Sequence, residues 1–296
     1  MPKVRTTMQE HNVLCPGKRK LLNKMDRINL SPTGNKKMTK NRPSTHFLKL
    51  ILIISILLLF CFPQAALLQT TSIEYICTET DYETPVFIIR TDSKEPTIMI
   101  VAGTHGNEKA GIKAAEYLKD NLHIERGTLI IIPRANILAC EENVRCFPAE
   151  INLNRVYPGN PQGNSVEKLA SEIFNLMKRY DIDLLVDLHE SIEFYRKNPK
   201  NYGQTVVIDS DDNCLLELSS FLVEEMNRGI NEGSNKYQVL VDPVKGSTTY
   251  CAYSQLDIPA LTFETCRKLP LSFRIEEQIK FVKIILSKWN MLAVQR

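Results

Sequence analysis

No C-x-x-C pair occurs among the eight cysteines, so a zinc site built from cysteine has no support. Internal repeats and low-complexity stretches are also missing. A composition of 43% hydrophobic and 24% charged residues excludes a disordered chain, a collagen-like chain and a small disulfide framework. Acidic residues are nearly absent from one part of the chain: residues 1–49 hold twelve Lys and Arg but only Glu10 and Asp26. The remainder holds 25 basic and 32 acidic residues, so charges of +10 and −7 lie behind an overall +3. A nucleic-acid-binding domain needs its basic surface on the folded portion. Here the basic charge sits in the segment least suited to fold, and nucleic acid is not an expected partner. Histidine is scarce as well, at five in 296 residues.

A clean run of twenty apolar residues is missing too. Leu50 to Phe62 reads LILIISILLLFCF, thirteen residues broken by Ser55, and the chain stays uncharged to Leu68. A secretory signal carries an apolar core of about 7–15 residues behind a basic segment, whereas a membrane-spanning helix needs about 20. Residues 50–68 are therefore expected to be either a signal-peptide core or a single transmembrane anchor, with Pro63 tolerated near the end of a span. Ala65 and Ala66 offer small residues for cleavage, but Pro63 and Gln64 make the site poor. Translation from Met38 instead of Met1 would cut the lead to the usual length for a signal. In either case residues 1–49 form a basic, disordered cytoplasmic leader and the rest is exported. The expected location is membrane-anchored with the folded part outside, or secreted or periplasmic after cleavage. Export permits disulfides. Cys140 and Cys146 are close enough in sequence to bridge a loop; the alternative is that they are free buried thiols.

From Thr71 to Arg296 the length suits one domain with a substantial core. Apolar β-branched runs alternate with helical ones. VFIIRT and TIMIVAG lead into a helix predicted at about 107–122, and TLIIIPRAN precedes a long polar loop. A helix at about 165–180 comes before DLLVDLHES. QTVVIDS, a helix at about 213–229, YQVLVD, a short polar helix near 247–255, PALTFET and a final helix from about 273 to 291 complete the domain. This order predicts an α/β fold with a mostly parallel or mixed central sheet and helices on both faces.

Three strand candidates end in polar residues that a buried strand does not need. TIMIVAG runs into His105 and Glu108, LLVDL into His189 and Glu190, and PALTF into Glu264. Ligands of open α/β sheets bind outside the carboxyl ends of strands, and all three groups fall there. An isolated H-x-x-E is a weak signal. Together, His105, Glu108 and His189 make two imidazoles and one carboxylate, the set that leaves a fourth position of a catalytic zinc for water. Gly103 and Gly106 let the backbone turn tightly beside it, while His123 reads as an exposed histidine at a helix end. Glu264 is the candidate general base and acid. Arg145, Asn154 and Arg155, in the loop NVRCFPAEINLNRVYPG, suit a substrate carboxylate and a developing oxyanion.

GTHGNE, NLNRVYPG, DLHES and PALTFET, in this order, resemble the zinc carboxypeptidase superfamily, and within it the catalytic domain of the succinylglutamate desuccinylase and aspartoacylase branch, over about residues 97–268. The resemblance implies one zinc ion on His105, Glu108 and His189. It also implies Arg145 on the scissile carbonyl, Asn154 and Arg155 on the substrate carboxylate, and Glu264 as proton shuttle. Tyr250 or Tyr253 would help close the pocket. Two departures stand out. Asn152 replaces the family's Asp, which implies zinc binding that is retained but weaker. The family's C-terminal β domain has no counterpart in the 32 residues after Glu264, which implies a wider cleft able to admit a peptide end. The expected activity is hydrolysis of an amide next to a carboxylate in a small N-acyl amino acid. The alternatives are a carboxypeptidase acting on peptides or cell-wall stem peptides, and an inactive membrane-anchored binding protein.

Overall fold

The fold was read from a computed structural model, which describes residues 69–231 and 233–293. The expected leader and hydrophobic segment, residues 1–68, lies outside the described residues. Among the latter, no helix is long and apolar enough to cross a membrane.

Eight strands form one sheet: β1 (Thr70–Ile76), β2 (Thr84–Arg90), β3 (Thr97–Ala102), β4 (Thr128–Ile132), β5 (Leu184–Ser191), β6 (Thr205–Ile208), β7 (Gln238–Val241) and β8 (Ala260–Cys266). Their spatial order is β1-β2-β4-β3-β5-β8-β6-β7. The four pairings β4/β3, β3/β5, β5/β8 and β6/β7 are parallel, and β1/β2, β2/β4 and β8/β6 are antiparallel. The sheet is therefore mixed. Its central strands β3 and β4 are buried along their whole length, because each is covered on both faces, which is why they read as unbroken apolar runs.

Among the described residues, five helices lie between strands, α1 (Lys109–Asn121), α2 (Ile137–Glu142), α3 (Ser165–Arg179), α4 (Asn213–Asn227) and α5 (Thr248–Leu256), and α6 (Leu271–Lys288) follows β8. Alternation along the strands sorts the core into two clusters. Ile98, Ile100, Val186 and Leu188 face α1, α4 and α6, whereas Met99, Val101, Ile130 and Leu185 face α3 and α5. Phe263 lies on the first face with its ring stacked 3.9 Å from that of Phe281 and 5.1 Å from that of Tyr237. α3 begins where a capping box predicts it should: the Asn164 side chain accepts from Val166 N and Glu167 N, and Glu167 Oε2 accepts from Asn164 N.

Two elements escaped the sequence pattern. β1 is an edge strand whose residues are largely exposed, so it has no apolar period and forms through its ladder to β2. The six-residue α2 is too short to show a period, and it starts on the Asn136 side chain, which accepts from Ala139 N. Cys140 and Cys146 are free thiols, which settles their reading against a loop bridge. Cys140 Sγ donates to Gly103 O at 3.4 Å, and burial pushes its pKa up to about 12.

Candidate metal centre and substrate cleft

The chain leaves β3 through Gly103, whose φ of +71° suits glycine. It then passes Gly106, where an added Cβ would lie 1.8 Å from Ala139 O of α2. That close approach folds the segment back over the end of the sheet, so that His105 and Glu108 point inward. Gly106→Ala is expected to cost roughly 1–3 kcal/mol or more, seen as a lowered midpoint in thermal unfolding; a wild-type midpoint would mean that α2 shifts freely.

Glu108 occupies the position before α1 but makes no cap bond with its side chain. Its carboxylate instead joins the two histidines, with Oε1 2.8 Å from His105 Nδ1 and Oε2 2.8 Å from His189 Nδ1. The outer nitrogens have supports: His105 Nε2 lies 3.1 Å from Asn152 Oδ1 and His189 Nε2 3.1 Å from Asp187 Oδ2. Asn152 Oδ1 also accepts from Asn154 N, which fixes the amide with its oxygen toward the imidazole. Candidate ligand atoms of His105, Glu108 and His189 lie within 4.8 Å of one another, and all three residues are buried. The Nδ1 atoms of both imidazoles turn inward onto the one Glu108 carboxylate. Two inward imidazole nitrogens and one carboxylate, converging in a buried site and backed by oxygen acceptors, fit a zinc ion.

The charges agree with this fit. Burial holds His105 below the usual histidine range, which favours the neutral, ligating form. Burial alone would raise Glu108, but its contacts with His105 and His189 outweigh it and hold the carboxyl below its usual range. Burial likewise works against a charged His189, yet Asp187 and Glu108 outweigh it and hold His189 well above its ordinary value. The two buried acids thus demand positive charge here, which a proton or a divalent cation can supply.

Glu264 stands beside His189 because β5 and β8 pair in parallel with these two residues in register. Its Oε2 is sealed from solvent and has no hydrogen-bond partner. Burial pushes its carboxyl up to about 8, with the His189 charge pulling the other way. The side chain closes one wall of a cleft of about 410 Å³ that His105, Glu108, Arg145, Asn154 and Arg155 also line. Arg145 Nη1 donates to Glu108 Oε1 at 2.9 Å. Asn154 Oδ1 accepts from Thr248 N, and Arg155 Nη1 donates to Asn154 O. The long loop therefore delivers all three predicted anion-binding residues to the cleft.

Tyr250 is not brought there. α5 starts on Ser247, whose hydroxyl accepts from Tyr250 N, and the first turn presents Thr249 to the cleft. One residue on, about 100° around the helix, Tyr250 packs half-buried against the α3/α5 core. Tyr253 packs against the opposite cluster. The assignment of either tyrosine to the pocket is corrected accordingly. His123 is exposed just past α1, as expected.

Four cleft or support residues were missed. Asp187 lies two residues before His189 and so on the same strand face. Arg267, three residues after Glu264, donates to Asn107 Oδ1 at 3.0 Å and lies 3.9 Å from Glu108 Oε1. Asp209 and Asp242 follow β6 and β7 and line the cleft wall; burial pushes Asp209 up to about 6, and Asp242 Oδ2 accepts from Tyr202 Oη at 2.6 Å. The strand-end rule that picked out His105 applies equally to VVIDS and VLVD, and would have found both.

The Asn152 contact gives the first test of the metal centre. Asn152→Asp places a charge on His105 Nε2 and is expected to raise zinc affinity 10–100-fold in competition with a chelator. Unchanged affinity would remove Asn152 from the support of His105.

Residues 94–199 match the succinylglutamate desuccinylase/aspartoacylase catalytic domain family, so the resemblance holds for GTHGNE, NLNRVYPG and DLHES, while PALTFET lies beyond the matched residues. The N-alpha-acetyl-L-2,4-diaminobutyric acid deacetylase of Halomonas elongata is 35% identical over 108 residues, 36% of this chain and 31% of that protein; the match thus spans less than a third of the deacetylase. The fold is similar to that of Helicobacter pylori Csd4, a D,L-carboxypeptidase, with a TM-score of 0.62 and 20% identity over 67% of this chain and 51% of the other. An aspartoacylase family protein from Mesorhizobium loti gives a TM-score of 0.60 at 20% identity, over 79% and 71%.

Proposed function

We propose, on the catalytic-domain match over residues 94–199 and the geometry around it, that this chain is a zinc-dependent hydrolase acting outside the cytoplasm. It cleaves an amide next to a carboxylate, as an N-acyl amino acid deacylase or amidase. The observation that carries this reading is one cleft in which the buried His105, Glu108 and His189 cluster, a partnerless carboxylate oxygen of Glu264 and the guanidinium groups of Arg145 and Arg155 stand together.

His105, Glu108 and His189 would hold the metal, which when bound polarises a carbonyl and acidifies a water. Arg155 and the Asn154 side-chain amide grip the substrate carboxylate, the former through its planar fork. That grip sets the scissile carbonyl toward Arg145, which is half-exposed beside Glu108 and able to turn to a developing oxyanion. Glu264 takes the proton of the attacking water on its carboxylate and returns it to the departing amine, so the leaving group departs neutral.

The test is to load the full-length protein with zinc and present it with N-acyl amino acids and, separately, with peptides. Release of free amino acid from N-acyl substrates is expected. Release of C-terminal residues from peptides alone would replace the deacylase with a carboxypeptidase, and a wild-type chain that neither binds zinc nor turns over either class would leave a binding protein. N-terminal sequencing of the mature protein tests export: a start shortly after residue 68 indicates a cleaved signal, and an intact leader on a membrane-bound protein indicates an anchor.

A further inference from the structure

Glu190 directly follows a proposed zinc ligand, yet its side chain points to the opposite face of the sheet, because successive residues of a strand alternate. It is buried, and none of the roles assigned above uses it. Its three contacts are specific. The backbone N–H of Glu190 donates to Glu108 Oε2 at 2.9 Å. Its carboxylate Oε2 accepts from Ala110 N, in the first turn of α1, at 2.9 Å. Its other oxygen pairs with Arg274 Nη1 of α6, a side chain that is itself largely buried.

The α1 contact answers a need created by the metal centre. The first amide groups of a helix have no partner within the helix, and a side chain at the preceding residue usually supplies one. In α1 that residue is Glu108, whose side chain makes no cap bond because its carboxylate is turned to the histidines and Arg145. A negative charge is also favoured at that helix end, and Glu190 brings one from another strand. α6 then fixes the arrangement from behind. Arg274 and, one turn later on the same helix face, Gln278 grip the end of β5, with Gln278 Nε2 donating to His189 O at 2.9 Å and to Thr265 Oγ1 at 3.1 Å.

We propose that Glu190, oriented by Arg274, is a positioning residue that caps α1 in place of Glu108, leaving the Glu108 carboxylate free to serve the metal centre and holding its backbone at the distance that the centre requires. The inference rests on the functional reading above. On this view the ion pair itself is secondary and the acceptor for Ala110 N is what matters, since a buried ion pair can be replaced by uncharged residues of similar volume without loss of the fold.

Two double variants of the full-length chain separate these contributions. Glu190→Gln with Arg274→Met removes both charges but keeps an oxygen within reach of Ala110 N. Glu190→Met with Arg274→Met has nearly the same shape and no acceptor. Zinc affinity by chelator competition is expected to stay within about threefold of wild type in the first and to fall about 10–100-fold in the second, the range seen when outer-shell partners of a metal site are lost. Equal affinities in the two would overturn the proposal. Amide hydrogen exchange of the metal-free wild-type protein provides a readout that needs neither variant to fold. A protected Ala110 amide is expected, and exchange as fast as that of an open loop would overturn the cap. Wild type that binds no zinc, with Ala110 protected, would bring down the functional reading and with it the claim that the cap serves a metal; wild type that binds zinc alongside two indistinguishable variants would bring down the cap alone.

Discussion

Glu264→Gln is expected to lower kcat by about 10²–10⁴-fold, the range contributed by a positioned general acid–base group, while bound zinc stays at the wild-type level. The amide preserves the shape of a side chain whose Oε2 is sealed from solvent without a hydrogen-bond partner, so the fold has little to lose. It cannot carry the proton from water to the departing amine. In the proposed mechanism substrate binding rests on Arg155 and Asn154, so KM is expected to change little beside kcat. Loss of zinc in this variant would make Glu264 part of the metal site, and wild-type turnover would remove it from catalysis.

His105→Ala is expected to have the second large effect, with bound zinc falling from one ion per chain to near zero after dialysis and activity falling with it. The change leaves Glu108 facing one imidazole in a buried site, and it strips Asn152 Oδ1 of its contact with His105. Two ligands do not hold a catalytic zinc, for which three protein ligands are usual. The metal-free variant is also expected to unfold at a lower temperature than the metal-free wild type, because the buried Glu108 carboxylate loses one of the two imidazoles that contact it. A variant that retains a full zinc ion would exclude His105 as a ligand and with it the two-histidine centre.

Both effects concern residues that the linear chain already marks. His105, Glu108, His189 and Glu264 stand where apolar runs end, at the carboxyl edge of the sheet where ligands of open α/β folds bind. The sheet was legible for the same reason: β3, β4, β5 and β8 are central strands, and apolar cover on both faces writes itself into the sequence. β1 and α2 were not, since one is exposed at an edge and the other is shorter than two helical turns. Tyr250 shows the limit within an element. A helix was expected near 247–255, but which face meets the cleft depends on the residue at which the helix starts, and Ser247 sets it so that Thr249 is presented instead.

The sequence by itself determined the class of fold, the candidate donor set and the order in which its members arrive, because hydrophobic period and residue chemistry are local properties. Only the tertiary structure decided what stands behind those donors. Asp187 behind His189, Arg267 beside Glu108, and Glu190 with Arg274 beneath α1 are contacts between residues made neighbours by strand alternation and helix packing. Arg274 and Glu190 are 84 positions apart, and no spacing rule links a helix after the last strand to the first turn of α1. They meet because a buried carboxylate must find both an amide and a cation, and packing of α1 and α6 on the same face of the sheet brings both to Glu190.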